Sequence, residues 1–321
     1  MLVYIVRRLL YSIPVLVVST FLSFTFVSLA GDPVAKLRGN PRLPASTVHN
    51  IILQNHLNRS IPVRYWFWVQ DVITHKLGHS LSTFQPIWPD IARTMGHTVQ
   101  LVAISEVLAL SLGIAIGVYS AVRQYSAFDY FFTSLSFLGF AMPVFWLALL
   151  LQIAFVDIYL KWGVRIFYTS SLNSPHGGTW SLDRLQHIAL PATTLMVVSL
   201  ALYSRFMRAS MLDVINTDYV RTARAKGLSE WHVIMRHVFR NALIPIVTIV
   251  ALNVGGLLGG AIVTETVFSL DGMGYYFVQK LQAVDLYAVM GWLVVTSVII
   301  ILFNLIADVL YGYLDPRIRY D

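Results

Sequence analysis

Residues 9–31 contain no Asp, Glu, Lys or Arg, and comparable uncharged apolar runs recur along the chain. A hydrocarbon core of about 30 Å takes about 20 mostly apolar residues to cross as a helix. Inside lipid every backbone N–H and C=O must be bonded within the protein, which leaves helices for a bundle of this kind. Composition agrees. Only 12% of the residues are charged and 57% are hydrophobic, with mean hydropathy +0.67. Soluble domains carry about 25% charged residues, and a chain this poor in charge cannot cover a water-facing surface.

The pattern predicts an all-α, polytopic membrane helix bundle with six spans, at roughly 9–30, 98–121, 129–156, 188–208, 243–267 and 287–311. The first run follows Arg7 and Arg8 and so looks like a signal peptide, but it is longer than a secretory apolar region of about 7–15 residues. It also ends at Gly31-Asp32-Pro33 without a clear cleavage site. It reads as a retained first span. Six spans place both termini on one side. Arg7, Arg8, Arg123, Arg205, Arg208, Arg317 and Arg319 fall on that face, as do the basic residues between spans four and five. Lys and Arg near span ends mark the cytoplasmic side. The opposite face holds a long loop, 31–97, whose charges weigh little because long loops translocate largely regardless of charge. That loop has apolar residues at helical spacing in "STVHNIILQNHL", with Ser46 or Thr47 as N-cap, and again in "RYWFWVQDVITHKLG". It is expected to form a helical extracytoplasmic cap. The segment 157–187 reads as irregular.

The net charge of +7 and pI near 9.6 fit basic cytoplasmic loops and anionic headgroups. No basic-aromatic groove suggests nucleic acid. There is no cysteine, hence no disulfide and no thiolate site. His75 and His79 are four apart, but Gly78 argues against a helical metal pair. No nucleotide-binding G-x-x-x-x-G-K-[ST] segment occurs, so ATP hydrolysis by this chain is not expected. No metalloprotease or serine-hydrolase motif occurs either, and the chain is not expected to be an enzyme.

Between spans four and five lies "DYVRTARAKGLSEWHVIMRHVFRNALIP", a basic and helix-forming stretch. Gly227 is a plausible helix stop. Ser229 is a plausible N-cap, and Glu230 suits a helix N-terminus. The reading is two short helices joined by a glycine turn beneath the bundle. Two roles fit such an element. One is an interfacial anchor on headgroups. The other is a docking surface, favoured by the small residues Thr222, Ala223, Ala225 and Gly227.

Within this stretch, "DYVRTARAKGL" followed by "RHVFRNALIP" resembles the EAA loop of bacterial ATP-binding-cassette importer permeases. More narrowly, it resembles the B-type permease of the oligopeptide, dipeptide and nickel importers. Further stretches in the family's order are "YIVRRLLYSIPVL", "GDP", "LGHS", "MPVFWLALLLQI", "LPATTL", "SRFMRASMLDV", "LLGGAIVTETVF" and "NLIADVLYGYLDPRIRY". The resemblance covers nearly the whole chain. It implies the type I importer permease fold and a cytoplasmic coupling loop over 209–242. Arg221, Thr222 and Ala223 would occupy the EAA positions, with Ala225, Gly227 and Leu228 completing the surface that meets an ATPase. Arg221 stands where many importers have glutamate, Arg240 where the motif has proline, and Asp271 where proline is frequent. The implied partners are a second homologous permease, one or two ATPase subunits that bind ATP and magnesium, an extracytoplasmic peptide-binding protein and the bilayer. No cofactor is implied in this chain. Short peptides are the implied cargo, with nickel or another small solute as the alternative.

Polar residues inside spans are functional candidates by default. Glu106 and Asn253 are the candidates for a translocation path. Glu265, Asn304 and Asp308 also fall in spans, the last two reading as inter-helix or interfacial contacts. Glycines 255, 256, 259 and 260 are spaced for helix packing. Pro143 and Pro191 are expected to kink or begin helices. In a competing reading the chain is an ion-coupled secondary transporter with Glu106 as its coupling site. That reading leaves the basic loop without a role and lacks an inverted repeat.

Overall fold

The computed structural model describes residues 2–39, 43–74, 77–174 and 181–314. Helix α1 (Leu2–Ala30) leads into three short helices, α2 (Ala35–Arg38), α3 (Ala45–Gln54) and α4 (Ile61–Thr74). Then come α5 (Ile87–Val122), α6 (Ala127–Ala141), α7 (Val144–Trp162), α8 (Leu182–Ile215) and α9 (Asp218–Ala225). The one-turn α10 (Glu230–His232) passes through a π-helical segment, Val233–Phe239, into α11 (Arg240–Leu258). Helices α12 (Ile262–Val267), α13 (Met273–Gln282) and α14 (Leu286–Leu314) complete the chain. Six helical segments are long and apolar enough to cross a membrane. The all-helical, six-span expectation holds among the described residues, which contain no strand.

Several boundaries differ from those read from the sequence, each for a local reason. The third span, expected as one run over 129–156, is two helices broken at Met142-Pro143. Met142 is extended (φ −76°, ψ 125°), as the residue before proline prefers to be. The fourth begins at Leu182, where the Ser181 side chain accepts a bond from the Arg184 amide, and it runs through Pro191 rather than starting there. The fifth ends at Leu258, and the chain turns at Gly260 (φ +123°). A Cβ at Gly260 would lie 2.6 Å from the Gly274 nitrogen, so only glycine fits this turn. The cap helix α3 starts at Ala45 after Pro44, not behind Ser46 or Thr47. The irregular 157–187 segment is shorter than expected, because α7 continues to Trp162. His75 lies outside the described residues.

Helices α5 and α8 form the centre. They pack in parallel through a small-residue seam. A Cβ on Gly113 would meet Tyr203 Cβ at 2.9 Å, and one on Gly117 would meet Met207 Cβ at 2.6 Å. Helix α11 packs antiparallel on α14 in the same way, with Gly255 against Phe303 and Gly259 against Thr296. A Cβ on Gly256 would meet nothing within 4 Å, so that glycine of the predicted packing set takes no part in this contact. Helix α1 flanks α14, where Arg8 and Asp308 pair at 3.0 Å.

The cap of α2–α4 sits at one end of the bundle. Val34, Ile51 and Trp68 pack there with Phe24 of α1 and with Leu286 and Met290 of α14. A buried carboxylate pins it. Asp285 accepts bonds from Ser80 Oγ (2.5 Å), Leu81 N (3.1 Å), Ser82 N (3.1 Å) and Ser82 Oγ (2.6 Å), with Lys280 Nζ 3.9 Å away. Glu265, fully buried, plays the same part for α13. It accepts from Thr98 Oγ1 (2.7 Å) and from the Gly274 and Tyr275 amides at that helix's N-terminus, where a carboxylate meets unpaired backbone donors.

Candidate functional site

Two sets of candidate residues emerge, one inside the bundle and one at the end opposite the cap. Inside, Glu106 of α5 and Asn253 of α11 lie 147 positions apart in sequence and share one hydrogen-bonded cluster. Ser199 Oγ donates to Glu106 Oε1 at 2.6 Å, and the Tyr203 hydroxyl donates to Oε2. Asn253 Nδ2 lies 2.9 Å from the Tyr203 hydroxyl, 3.1 Å from Ser199 Oγ and 3.3 Å from Glu106 Oε1. Glu106 is 6% exposed and Tyr203 fully buried. A carboxyl group buried in an apolar bundle requires hydrogen-bond partners, and α8 supplies them on one face, at Ser199 and Tyr203. The cluster joins three spans at one point. Neither Ser199 nor Tyr203 stood out in the sequence. Their spacing of four behind Pro191 was the available signal.

Nearer the opposite end, Arg208 of α8 meets Asp129 of α6 through two parallel bonds, Nε–Oδ1 at 2.7 Å and Nη2–Oδ2 at 2.8 Å. Asp129 also accepts from the Tyr125 amide. This pair, with Asp129 buried and Arg208 partly exposed, was not singled out from sequence either. It fixes the start of α6 against α8.

At the end itself α9 packs against the bundle. Its buried side is Val220 and Ala223, packed with Met207, Met211, Val233, Ile234 and Val238. Of the residues expected to meet an ATPase, Ala223 therefore faces inward. Arg221, Thr222, Ala225, Gly227 and Leu228 are exposed. Two exposed aromatics that sequence reading passed over, Tyr219 and Trp231, belong to the same surface. Gly227 has φ +75° with open space around its Cβ position, so its conformation, not crowding, calls for glycine. Arg221 pairs with Asp218. Arg224 bonds both Glu230 oxygens, at 2.7 and 3.1 Å, and closes the turn between α9 and α10. The Glu230 carboxylate raises the Arg224 guanidinium above its already high ordinary value.

The second half of the loop departs from the sequence reading. It is not a separate short helix. From Glu230 the backbone is helical without a break into the fifth span, by way of the π-helical turn. Ser229 occupies the N-cap position by backbone geometry (φ −59°, ψ 143°), but its side chain makes no cap bond. Helix α9 is joined to the start of this continuous helix by the Gly227 turn and the Arg224–Glu230 contact.

Residues 113–320 match the model of the binding-protein-dependent transport system inner membrane component family. The chain belongs to that family. Its full length aligns with permease proteins of other bacteria. It is 36% identical over 338 residues to a dipeptide transport system permease protein of Alkalihalophilus pseudofirmus, covering 100% of both chains. It is 38% identical over 319 residues to an oligopeptide transport system permease protein of Bacillus subtilis, covering 99% of both. A dipeptide transport system permease protein of Escherichia coli is 34% identical over 340 residues, covering 100% of this chain and 99% of that one. The protein is a multi-pass inner-membrane permease subunit of the ATP-binding-cassette transporter class. The family match takes in α8, α9 and the continuous helix beyond them. Glu106 and the cap precede it and lie in the part aligned with the peptide permeases.

Proposed function

We propose that this permease subunit forms half of an importer path for short peptides and is driven by ATPase subunits that dock on α9. The observation that carries the docking is the division of α9. One side is buried in the bundle, and the other presents Tyr219, Arg221 and Thr222 to solvent, next to Leu228 and Trp231. Exposed aromatic and arginine side chains around a short, well-anchored helix are the composition of a protein-binding hot spot. The helix that follows the Gly227 turn continues into the fifth span, and the Arg224–Glu230 contact ties α9 to its start, so a displacement at the dock reaches α11 and, through Asn253, the Glu106 cluster. Peptide cargo is supported by the relatives' names, dipeptide and oligopeptide permeases, over the full length. The chain itself is non-catalytic in this reading. ATP and magnesium belong to the docked subunits, a second permease completes the path, and an extracytoplasmic binding protein delivers cargo to the cap end. Both termini and α9 then face the cytoplasm. Glu106 and Asn253 border the path and respond to its opening.

The test is co-purification. The chain, tagged and expressed in its native host, is extracted in mild detergent and its companions are identified. A second permease and ATPases are expected, and Gly227→Asp is expected to release the ATPases while the permeases stay together. Recovery of the folded chain alone would overturn the docking.

A further inference from the structure

Between α1 and α14, at the end of the bundle away from the cap, is a cavity of about 280 Å³ that neither the dock nor the Glu106 cluster uses. Its walls are polar at one end and apolar at the other. Arg8, Tyr11, Ser12 and Asn304 line the first, and Val15 and Ile301 the second. The depth of this change of character can be calculated. Helices α1 and α14 each have 29 residues, about 44 Å at 1.5 Å per residue, against about 30 Å of hydrocarbon. A centred helix overhangs by about 7 Å at each end. Arg8 stands six residues, about 9 Å, from the start of α1, and Asp308 the same distance from the end of α14. The pair therefore sits at the boundary of headgroup and hydrocarbon. Val15 and Ile301 each lie seven residues deeper, about 10 Å into the acyl region.

The chemistry at the boundary favours donors. Arg8 approaches Asp308 through Nε at 3.0 Å, yet its side chain remains 50% exposed against 30% for the carboxylate. A guanidinium carries five N–H groups, and one carboxylate contact does not exhaust them. The Tyr11 hydroxyl and the Asn304 amide add donors to the same wall. At this depth a half-exposed guanidinium meets lipid headgroups rather than bulk water.

We propose that this cavity is a binding site for an anionic phospholipid of the adjoining leaflet, the cytoplasmic one on the orientation given above. The phosphate is held by Arg8, Tyr11 and Asn304, and the first methylenes of an acyl chain run along Val15 and Ile301. Basic pockets between spans on this side are where anionic headgroups bind. Here the single arginine, placed by its carboxylate partner on the neighbouring helix, supplies both affinity and position. The bound lipid bridges α1 and α14 beside their Arg8–Asp308 pair.

The experiment uses the assembled complex with its partner subunits, reconstituted in nanodiscs of phosphatidylcholine with added phosphatidylglycerol. The complex is re-extracted, and native mass spectrometry counts the lipids that stay with the permease. One basic side chain near a membrane surface gives about a five-fold preference for the anionic lipid. The wild-type protein is expected to show at least that preference, and Arg8→Gln is expected to bring the ratio close to one. Because Arg8→Gln also breaks the pair with Asp308, Ser12→Leu serves as the second variant. It fills the cavity and leaves the pair intact, and it is expected to lose the retained lipid while keeping the wild-type unfolding temperature. Equal retention of both lipids by the wild type would overturn the site, as would wild-type lipid retention by Ser12→Leu.

Discussion

The two ends of this permease are held by different physics. At the cap end, acidic side chains are buried and surrounded by hydrogen-bond donors. Asp285 gathers four bonds from residues 80–82 and a fifth from the Ala288 amide at the head of α14. Glu265 gathers three across α5 and α13. At the α9 end the surface buried directly beneath α9 is apolar, and the ionic contacts of Arg221 and Arg224 are exposed. Buried, hydrogen-bonded carboxylates have one acceptable geometry, and leaving it strands several polar groups at once. Aliphatic surfaces and exposed ion pairs can slide or exchange with little loss. The cap end is thus built to keep its shape and the α9 end to change it. A π-helical turn, a form that recurs at functional sites, lies between α9 and the fifth span.

Substitutions can break this contrast, beginning with the largest effect. Asp285→Ala removes the acceptor shared by Ser80, Leu81 and Ser82 and leaves Lys280 buried without its carboxylate. Loss of one partner from a buried charged network costs about 3–5 kcal/mol. The unfolding temperature of the purified complex should fall, and residues 77–86 should become open to protease while ATPase co-purification survives. If protease attacks α9 first, the two ends are not mechanically separate. Glu106→Leu, in the middle, should cost less. Asn253 can still donate to Ser199 and Tyr203, so only part of the cluster is stranded, at about 1–3 kcal/mol. Glu106→Gln should restore most of that stability. Transport by each of the two variants, set beside its unfolding temperature, would show whether the cluster borders the path or only joins the spans.

How much of this contrast was legible beforehand differs by element. Uncharged runs gave six spans, because the cost of charge in hydrocarbon is local and additive along the sequence. The breaks were harder to read. Pro143 ends a helix and Pro191 does not, since tertiary packing around α8 decides whether the proline is tolerated. Gly260 looked like a packing glycine and proved to be a turn that passes against Gly274. The loop's second half has a serine and a glutamate where a helix start needs them, and it begins a helix as read. Nothing local shows that this helix continues into the span. Glu106 and Asn253 were each suspect as polar residues in apolar runs, but their meeting depends on the register of α5 against α11. Asp285 and Asp129 drew no notice because acidic residues near span ends are ordinary. Only the fold shows how many donors converge on them.

At the α9 end the expected effects are small in stability and larger in coupling, which sharpens the same contrast. Gly227→Ala places an L-residue at φ +75°, a strain of about 1–2 kcal/mol. The cost falls on the turn alone, because a Cβ there meets nothing. It should lower ATPase recovery more than it lowers the unfolding temperature. Arg224→Gln is the smallest change. It breaks a bidentate contact whose partners are 36% and 57% exposed, and an exposed pair of this kind contributes about 0.2–1 kcal/mol, less after screening by salt. The unfolding temperature should barely move. The turn between α9 and α10 should loosen instead, seen as faster amide exchange over 224–230 with no change over 77–86. Raising the salt concentration should reproduce part of that loosening in the wild-type protein and add nothing in the variant. Equal response of both proteins to salt would mean that the pair does not hold the turn, and that the aliphatic cluster beneath α9 sets its position alone.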